Sequence, residues 1–169
     1  IRNCDWSSDV CSSDLKETSA KNSVQKIYYH RIGTPQSADR LFYQNPSQPL
    51  RFYEVSVNKE ETVMYLTEAG MDNGNNLYVR DMTQADAQFI QMCSDPQYIY
   101  TPVETVGNRM YILTNAGAPK YRLMVADVSN PGYADWKELV GEGESVLEDV
   151  TFTADNRMKI GRASCRERV

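Results

Sequence analysis

The sequence has no long apolar run and no excess of basic residues. None of its apolar stretches approaches the ~20 residues that a bilayer-crossing helix needs. Of its 169 residues, 18 are Lys or Arg and 23 are Asp or Glu, which gives a net charge of -5. Because nucleic acids and anionic membranes are bound by clustered basic residues, we expect neither as a partner.

Cysteines are also few, and they are widely separated. Cys4 and Cys11 lie near one end, Cys165 lies near the other end, and Cys93 stands alone between them. This spacing matches neither a zinc site nor a disulfide framework, so we expect no metal and no other cofactor. It also leaves the compartment open, either cytoplasmic or periplasmic.

The two ends differ abruptly from the sequence between them. Residues 1–15, IRNCDWSSDVCSSDL, are crowded with Ser, Asp and Cys, whereas residues 160–169, IGRASCRERV, are rich in Arg. Both resemble conceptual translations of the two common short-read sequencing adapters, joined to a genuine insert. The alternative is a Cys-bearing secreted terminus paired with a basic tail. We expect both ends to be disordered artefacts and residues 16–159 to form the domain.

Between these ends the sequence predicts short β-strands and no helix of useful length. The candidate strands are rich in β-branched and aromatic residues, and most of the seven Pro and nine Gly lie between them. A turn at Gly107-Asn108 joins two strands as a hairpin. The predicted strands are 26–32, 39–44, 51–57, 62–67, 76–81, 87–93, 97–106, 109–114, 120–127, 137–140 and 146–153.

A large apolar residue recurs inside similar strands at nearly constant spacing. The segments KIYYHR, NLYVRD and YRLMVAD place Ile27, Leu77 and Leu123 in equivalent positions, 50 and 46 residues apart. A period of about 40–50 residues with about four strands per unit is typical of a β-propeller blade. A β-sandwich has similar turn spacing but no reason for a long-range period. The sequence therefore predicts an all-β fold, a partial β-propeller of about three blades.

Two groups of residues resemble motifs of the prolyl oligopeptidase family. In that family a strand of the type K-[IVL]-Y-Y-H leads to G-T-x-Q-S-x-D, and a later Y-R-[LV] is followed by a Pro-containing turn and W-K-x-L-[VI]. The first motif is matched by residues 26–30 and by Gly33, Thr34, Gln36, Ser37 and Asp39. The second is matched by residues 121–123 and by Pro131, Trp136, Lys137, Leu139 and Val140.

The resemblance implies part of the N-terminal propeller of a two-domain serine endopeptidase that cuts short peptides after proline. In such a protein a seven-bladed propeller covers an α/β-hydrolase domain of the same chain and admits only small, flexible peptides. The nucleophile of that domain needs a G-x-S-x-G elbow, followed by an Asp and a His. This sequence has no such elbow, and its single histidine, His30, precedes every candidate partner. We therefore expect His30 to be an ordinary mid-strand residue and the chain itself to have no catalytic residue and no peptidase activity.

The resemblance also implies which residues of the propeller would contact a peptide substrate. The loop at Gly70-Met71 and the strand that contains Phe52 resemble the parts of the family's propeller that face the peptidase domain and line the outer substrate subsites. Phe52 and Met71 are therefore the predicted substrate-facing residues.

Other chemically suggestive residues have plainer interpretations. Cys93 could be a reactive thiol, but a strand cysteine more often behaves as a small hydrophobe. Residues 72–76 are most simply a turn, and the strand tyrosines Tyr28, Tyr29, Tyr65, Tyr78 and Tyr111 are expected to fill the space between blades. An acidic run lacks the closely spaced Asp/Asn-Gly loop of a calcium site, so we interpret it as solvated turns: Glu142, Glu144, Glu148, Asp149 and Asp155.

Two other classes of protein fit the same fold. A non-catalytic propeller can serve as a scaffold that binds proteins or peptides, because propellers host many unrelated functions. What is encoded after Phe152, a hydrolase domain or only further blades, distinguishes this scaffold from the peptidase. A sugar hydrolase would need clustered carboxylates at the central tunnel, which this sequence does not supply.

Overall fold

The computed structural model describes residues 24–84, 86–155 and 157–163, and nearly all regular structure in them is β-strand. The chain divides into two compact units, Ile1–Leu50 and Arg51–Val169. No helix in the described ranges has the length and apolar character needed to cross a membrane. The strands are β1 (Lys26–Tyr29), β2 (Arg40–Gln44), β3 (Phe52–Val57), β4 (Val63–Ala69), β5 (Asn75–Asp81), β6 (Ile90–Cys93), β7 (Tyr100–Val106), β8 (Arg109–Thr114), β9 (Arg122–Asp127), β10 (Lys137–Val140), β11 (Leu147–Phe152) and β12 (Met158–Arg162).

In the first unit, β1 and β2 form an antiparallel hairpin. The connection turns at Gly33, whose φ of 89° is readily adopted only by glycine. The N–H of Thr34 donates to the carbonyl of Arg31 at 3.1 Å in the same turn, and a short 3-10 helix, Gln36–Ala38, follows. Because the turn begins before Gly33, the first strand ends at Tyr29 rather than at residue 32 as predicted.

The second unit contains two four-stranded sheets and a hairpin. Within each sheet the strands lie in chain order, β3-β4-β5-β6 and β7-β8-β9-β10, and each pairs antiparallel with its neighbour. Strands β11 and β12 then pair with each other. Four-stranded antiparallel meanders of this kind are the blades of β-propellers.

The hairpin β1-β2 and the two complete sheets each contain a β-bulge at the equivalent position. Its pairing shifts by one residue between Ile27 and Tyr28, so β2 carries one extra residue. The same shift follows Leu77 in the β5-β6 pair and Leu123 in the β9-β10 pair. Since bulges are specific features of a fold, the predicted equivalence of Ile27, Leu77 and Leu123 is confirmed.

By this equivalence, β1 and β2 correspond to the third and fourth strands of a blade, and β11 and β12 to the first two strands of another. Together with the two complete sheets they provide the strands of about three blades. No sheet in the described ranges closes on itself. The predicted fold, an all-β partial propeller of about three blades, is confirmed.

The apolar core of the second unit lies between successive sheets. Leu77 of the first sheet belongs to the same buried cluster as Met110 and Ile112 of the next sheet. On the opposite face of that next sheet, Leu123 packs with Leu147 of β11. Because successive side chains of a strand point to opposite faces, the sheet β7-β10 is buried on both faces. Full burial of a Leu, Ile or Met side chain stabilises the folded state by ~1.5–3 kcal/mol.

Buried polar side chains also join the two sheets. The side-chain amide of Asn75 donates to the carbonyl of Tyr100 at 3.0 Å, and its oxygen accepts from the N–H of Tyr100 at 2.9 Å. Asn75 is 6% exposed, so these hydrogen bonds replace contacts with water. The hydroxyls of Tyr65 and Thr105 form a second buried hydrogen bond between the sheets.

Strand β12 was not predicted from the sequence. It includes residues 160–162, which belong to an end that was expected to be disordered. It forms because β11 offers it a pairing partner from Leu147 to Phe152. Residue 163 is also described, whereas residues 1–15 and 164–169 lie outside the described residues, and the origin of both ends stays a prediction.

The prediction that strand tyrosines fill the space between blades is confirmed in part. Tyr65 lies in the core cluster between the two sheets, and the ring of Tyr111 contacts that of Phe152. The prediction is wrong for Tyr28 and Tyr29, which are 52% and 61% exposed. These two residues lie in a two-stranded hairpin, where fewer neighbours can cover a large side chain.

We expect Asn75→Ala to lower the free energy of unfolding by about 1–3 kcal/mol, because it leaves the buried backbone groups of Tyr100 without partners. Asn130→Ala is the matched control, since its side chain hydrogen-bonds Asp135 on the exposed surface. Urea unfolding of the two variants measures the difference. Equal free energies for both variants would contradict a structural role for Asn75.

Candidate functional site

The two predicted substrate-facing residues lie at the same end of the sheet β3-β6. Phe52 is the first residue of β3 and pairs with Ala69, the last residue of β4. Met71 follows two positions later. Phe52 is 58% exposed and Met71 is 91% exposed. Apolar side chains left exposed at one end of a sheet are a candidate contact surface, and we term these two residues the apolar edge.

A charged cluster adjoins the apolar edge. Arg51 precedes Phe52, and its Nη1 donates to Oδ2 of Asp72 at 2.9 Å. Its Nε lies 3.7 Å from Oε1 of Glu68, a side chain that is only 1% exposed. The other oxygen of Glu68 accepts a hydrogen bond from the hydroxyl of Tyr78 at 2.9 Å. A carboxylate buried to this degree needs a cationic partner, and Arg51 supplies that charge through an ion pair that includes no hydrogen bond to Oε1.

The loop between β4 and β5 is packed at both ends. A Cβ added at Gly70 would lie 2.3 Å from Nη1 of Arg51. A Cβ added at Gly74 would lie 2.0 Å from the carbonyl oxygen of Tyr98. Both distances are far shorter than van der Waals contact, but the Arg51 side chain could move aside whereas the backbone at Tyr98 could not, so the close approach requires glycine at Gly74. The loop that carries Met71 is therefore held on both sides of this residue.

His30 lies in the first unit, immediately after β1, and not within a strand as predicted. Its Nδ1 is 2.6 Å from Oδ1 of Asp39, which lies just before β2. The histidine side chain is 46% exposed, whereas that of Asp39 is 15% exposed. This contact joins the two ends of the connection between β1 and β2.

Cys93 is a buried free thiol. It is the last residue of β6 and belongs to the core cluster between the two sheets. Burial, with a smaller contribution from the nearby Asp95 carboxylate, raises the pKa of this thiol to about 12. Since the thiolate is the reactive form, the interpretation of Cys93 as a small hydrophobe is confirmed.

Two of the acidic residues considered for calcium, Glu142 and Asp155, have other partners. Glu142 accepts a hydrogen bond from the N–H of Lys120 at 2.6 Å, and Asp155 forms an ion pair with Arg157 at 2.9 Å. In residues 24–84, 86–155 and 157–163, no three His, Cys, Asp or Glu side chains are grouped so that they could hold a metal ion. These carboxylates stabilise turns and form surface ion pairs.

Arg51 and Glu68 were not singled out from the sequence. Glu68 lies near the end of VMYLTEA, where a single charged residue follows a largely apolar strand. This position was the sequence signal that could have identified Glu68, because a charged side chain within a buried strand requires a partner. The identity of the partner depends on the register between β3 and β4, which the sequence alone does not supply.

Sequential four-stranded meanders, packed face to face in the second unit, define a β-propeller domain. The family model described as the N-terminal β-propeller domain of prolyl oligopeptidase matches residues 8–166. The chain belongs to this family.

Similar curated proteins include peptidases from bacteria and fungi. The chain is 28% identical over 130 residues to a prolyl endopeptidase of Elizabethkingia meningoseptica, which covers 77% of this chain and 18% of that protein. It is 29% identical over 140 residues to prolyl oligopeptidase A of Amanita bisporigera, which covers 79% of this chain and 18% of that protein. The chain thus spans less than a fifth of the length of these relatives.

Solved structures of the same type have the same fold. One, from a structural and mechanistic analysis of two prolyl endopeptidases, aligns with a TM-score of 0.75 and 26% identity over 83% of this chain and 21% of that chain. Apo prolyl oligopeptidase B from Galerina marginata aligns with a TM-score of 0.70 and 22% identity over 77% of this chain and 19% of that chain. At 22% identity, the second likeness concerns the fold alone.

We expect Gly74→Ala to lower the free energy of unfolding by roughly 1–3 kcal/mol, because the new methyl group overlaps the backbone at Tyr98. Gly132→Ala is the matched control: no atom lies within 4 Å of its added Cβ, and its φ of -61° suits any residue. Thermal melting of both variants gives the comparison. A Gly74→Ala variant as stable as Gly132→Ala would show that the close approach is not required.

We expect Cys93 to resist thiol reagents at pH 8 while the protein is folded, because its pKa of about 12 leaves it protonated. Denaturant should expose it to rapid labelling. Mass spectrometry of the peptide that contains Cys93 separates its reaction from those of Cys4, Cys11 and Cys165. Fast labelling in the native protein would contradict the buried position.

Proposed function

We propose that this chain is part of a prolyl oligopeptidase-like serine endopeptidase. Its propeller would gate the access of short proline-containing peptides to an α/β-hydrolase domain of the same polypeptide, encoded beyond this segment. The observation that carries the proposal is the family match over residues 8–166, together with similar proteins named as prolyl endopeptidases. The chemistry itself would belong to the hydrolase domain.

The apolar edge supports a role in contacting the peptide. Phe52 and Met71 are exposed at one end of a sheet whose interior positions are packed. Short peptides that contain proline offer apolar surface and few backbone N–H groups, so apolar contact is the interaction that suits them. We propose that Phe52 and Met71 line an outer subsite for such peptides.

Recovery of the uninterrupted gene tests the proposal. Sequencing outward from the codons for Lys16 and Lys159 should remove the adapter-like ends and reveal a hydrolase domain with Ser, Asp and His in that order. The full-length protein should then cleave a short peptide after proline. If only further blades follow, the non-catalytic scaffold replaces the peptidase. If the ends persist in the genome, the adapter interpretation is wrong.

In the full-length protein we expect Phe52→Ala and Met71→Ala each to raise KM for a short proline-containing peptide about five- to tenfold and to leave kcat unchanged. The reason is the loss of about 1 kcal/mol of apolar contact that is equal in the ground state and the transition state. Val57→Ala, at the opposite end of β3, is the control, since Val57 is also exposed. Unchanged KM in both edge variants would remove these residues from the substrate site.

A further inference from the structure

Arg51 has two carboxylate partners that differ sharply in exposure. The Glu68 side chain is 1% exposed, whereas the Asp72 side chain is 47% exposed. Removal of the guanidinium would leave the buried Glu68 carboxylate without this cation, so the ion pair favours a position of Arg51 beside the sheet even though it includes no hydrogen bond to Oε1. An exposed ion pair is much weaker and is screened by salt. Arg51 is therefore fixed to the sheet, and Asp72 is the partner that can be released.

The backbone of the loop runs directly against this guanidinium. The position of a Cβ at Gly70 lies 2.3 Å from Nη1 and 2.9 Å from Cζ of Arg51. Met71 lies between Gly70, which touches Arg51, and Asp72, which binds it. Phe52 directly follows Arg51 in the chain. Phe52 is thus next in sequence to Arg51 itself, and Met71 is flanked by the two residues, Gly70 and Asp72, that Arg51 contacts.

The far end of the same loop is fixed independently of Arg51. Gly74 lies against the backbone at Tyr98, and the N–H of Asn75 donates to the carbonyl of Tyr98 at 3.0 Å. Loss of the bond between Arg51 and Asp72 would therefore free residues near Met71 without releasing the loop from the next sheet.

We propose that Arg51, braced by the buried Glu68, is the positioning residue of the apolar edge. Its ion pair with Asp72 sets the place of Met71, and so determines how strongly the protein binds peptides with an apolar side chain at the outer position. This inference rests on the proposed function, in which Phe52 and Met71 contact the peptide. It adds a selectivity determinant that does not itself touch the peptide.

Asp72→Asn in the full-length enzyme is the test, because it removes the charge and keeps the shape of the side chain. We expect KM for a peptide with an apolar outer residue to rise about two- to fivefold, with kcat unchanged. KM for a shorter peptide that lacks this residue should not change. In the unaltered enzyme, raising salt to about 1 M should raise KM for the longer peptide by a similar factor, and Asp72→Asn should abolish this salt dependence.

Asp155→Asn is the matched control, because Asp155 forms an equally short, exposed ion pair with Arg157 away from the edge. It should leave KM and its salt dependence unaltered. If Asp72→Asn retains the original KM and salt response while Met71→Ala raises KM, the positioning role of Arg51 is overturned and the proposed subsite stands. If neither variant changes KM, both the subsite and the inference that rests on it fail. The salt response of the unaltered enzyme decides the matter even if Asp72→Asn folds poorly.

Discussion

Apolar packing between successive sheets is the contact on which the rest of this structure depends. The sheet β7-β10 has an apolar cluster on each of its two faces. Met110 and Ile112 face the preceding sheet, while Leu123 faces the hairpin that follows. Since a sheet of four short strands cannot cover its own faces, this blade depends on the neighbours that pack on each side of it. The spacing of 50 and 46 residues between Ile27, Leu77 and Leu123 reflects this repeated burial.

Burial between sheets also decides which polar residues can be present there. Asn75 is tolerated because it completes the hydrogen bonds of Tyr100, and Tyr65 because its hydroxyl meets that of Thr105. Burial raises the pKa of Tyr65 to about 12, as expected for a neutral phenol enclosed between sheets. Glu68 differs, because it lies on the face of β4 opposite to Tyr65, outside the cluster between the sheets, and its partner Arg51 reaches the loop that follows β4. The same physical demand, pairing a buried charge, thereby links the sheet β3-β6 to the candidate site.

The sequence predicts the elements of this fold well, and their ends and partners less well. The spacing of Ile27, Leu77 and Leu123 predicts the blades because it reflects a burial pattern repeated along the chain. The end of β1 was misplaced because Arg31 and Ile32 have strand-like neighbours, and only the turn at Gly33 shows where pairing stops. Phe52 and Met71 came from a family resemblance, and their common place at one sheet end follows from the β3-β4 register. The ion pairs of Arg51 join residues 17 and 21 positions apart, and no local pattern encodes them.

The repeated bulge has a consequence for how such a chain can vary over evolutionary time. Ile27 pairs with Tyr43 and Leu77 with Cys93, each sixteen residues later, whereas Leu123 pairs with Val140, seventeen residues later. The fourth strand of a blade can therefore follow a connection of different length and still pair in the same register beside the third strand. Insertions and deletions of single residues would be absorbed in that connection, while the pairing of the strands is kept. Divergent blades can in this way lose almost all mutual sequence identity and remain interchangeable in shape.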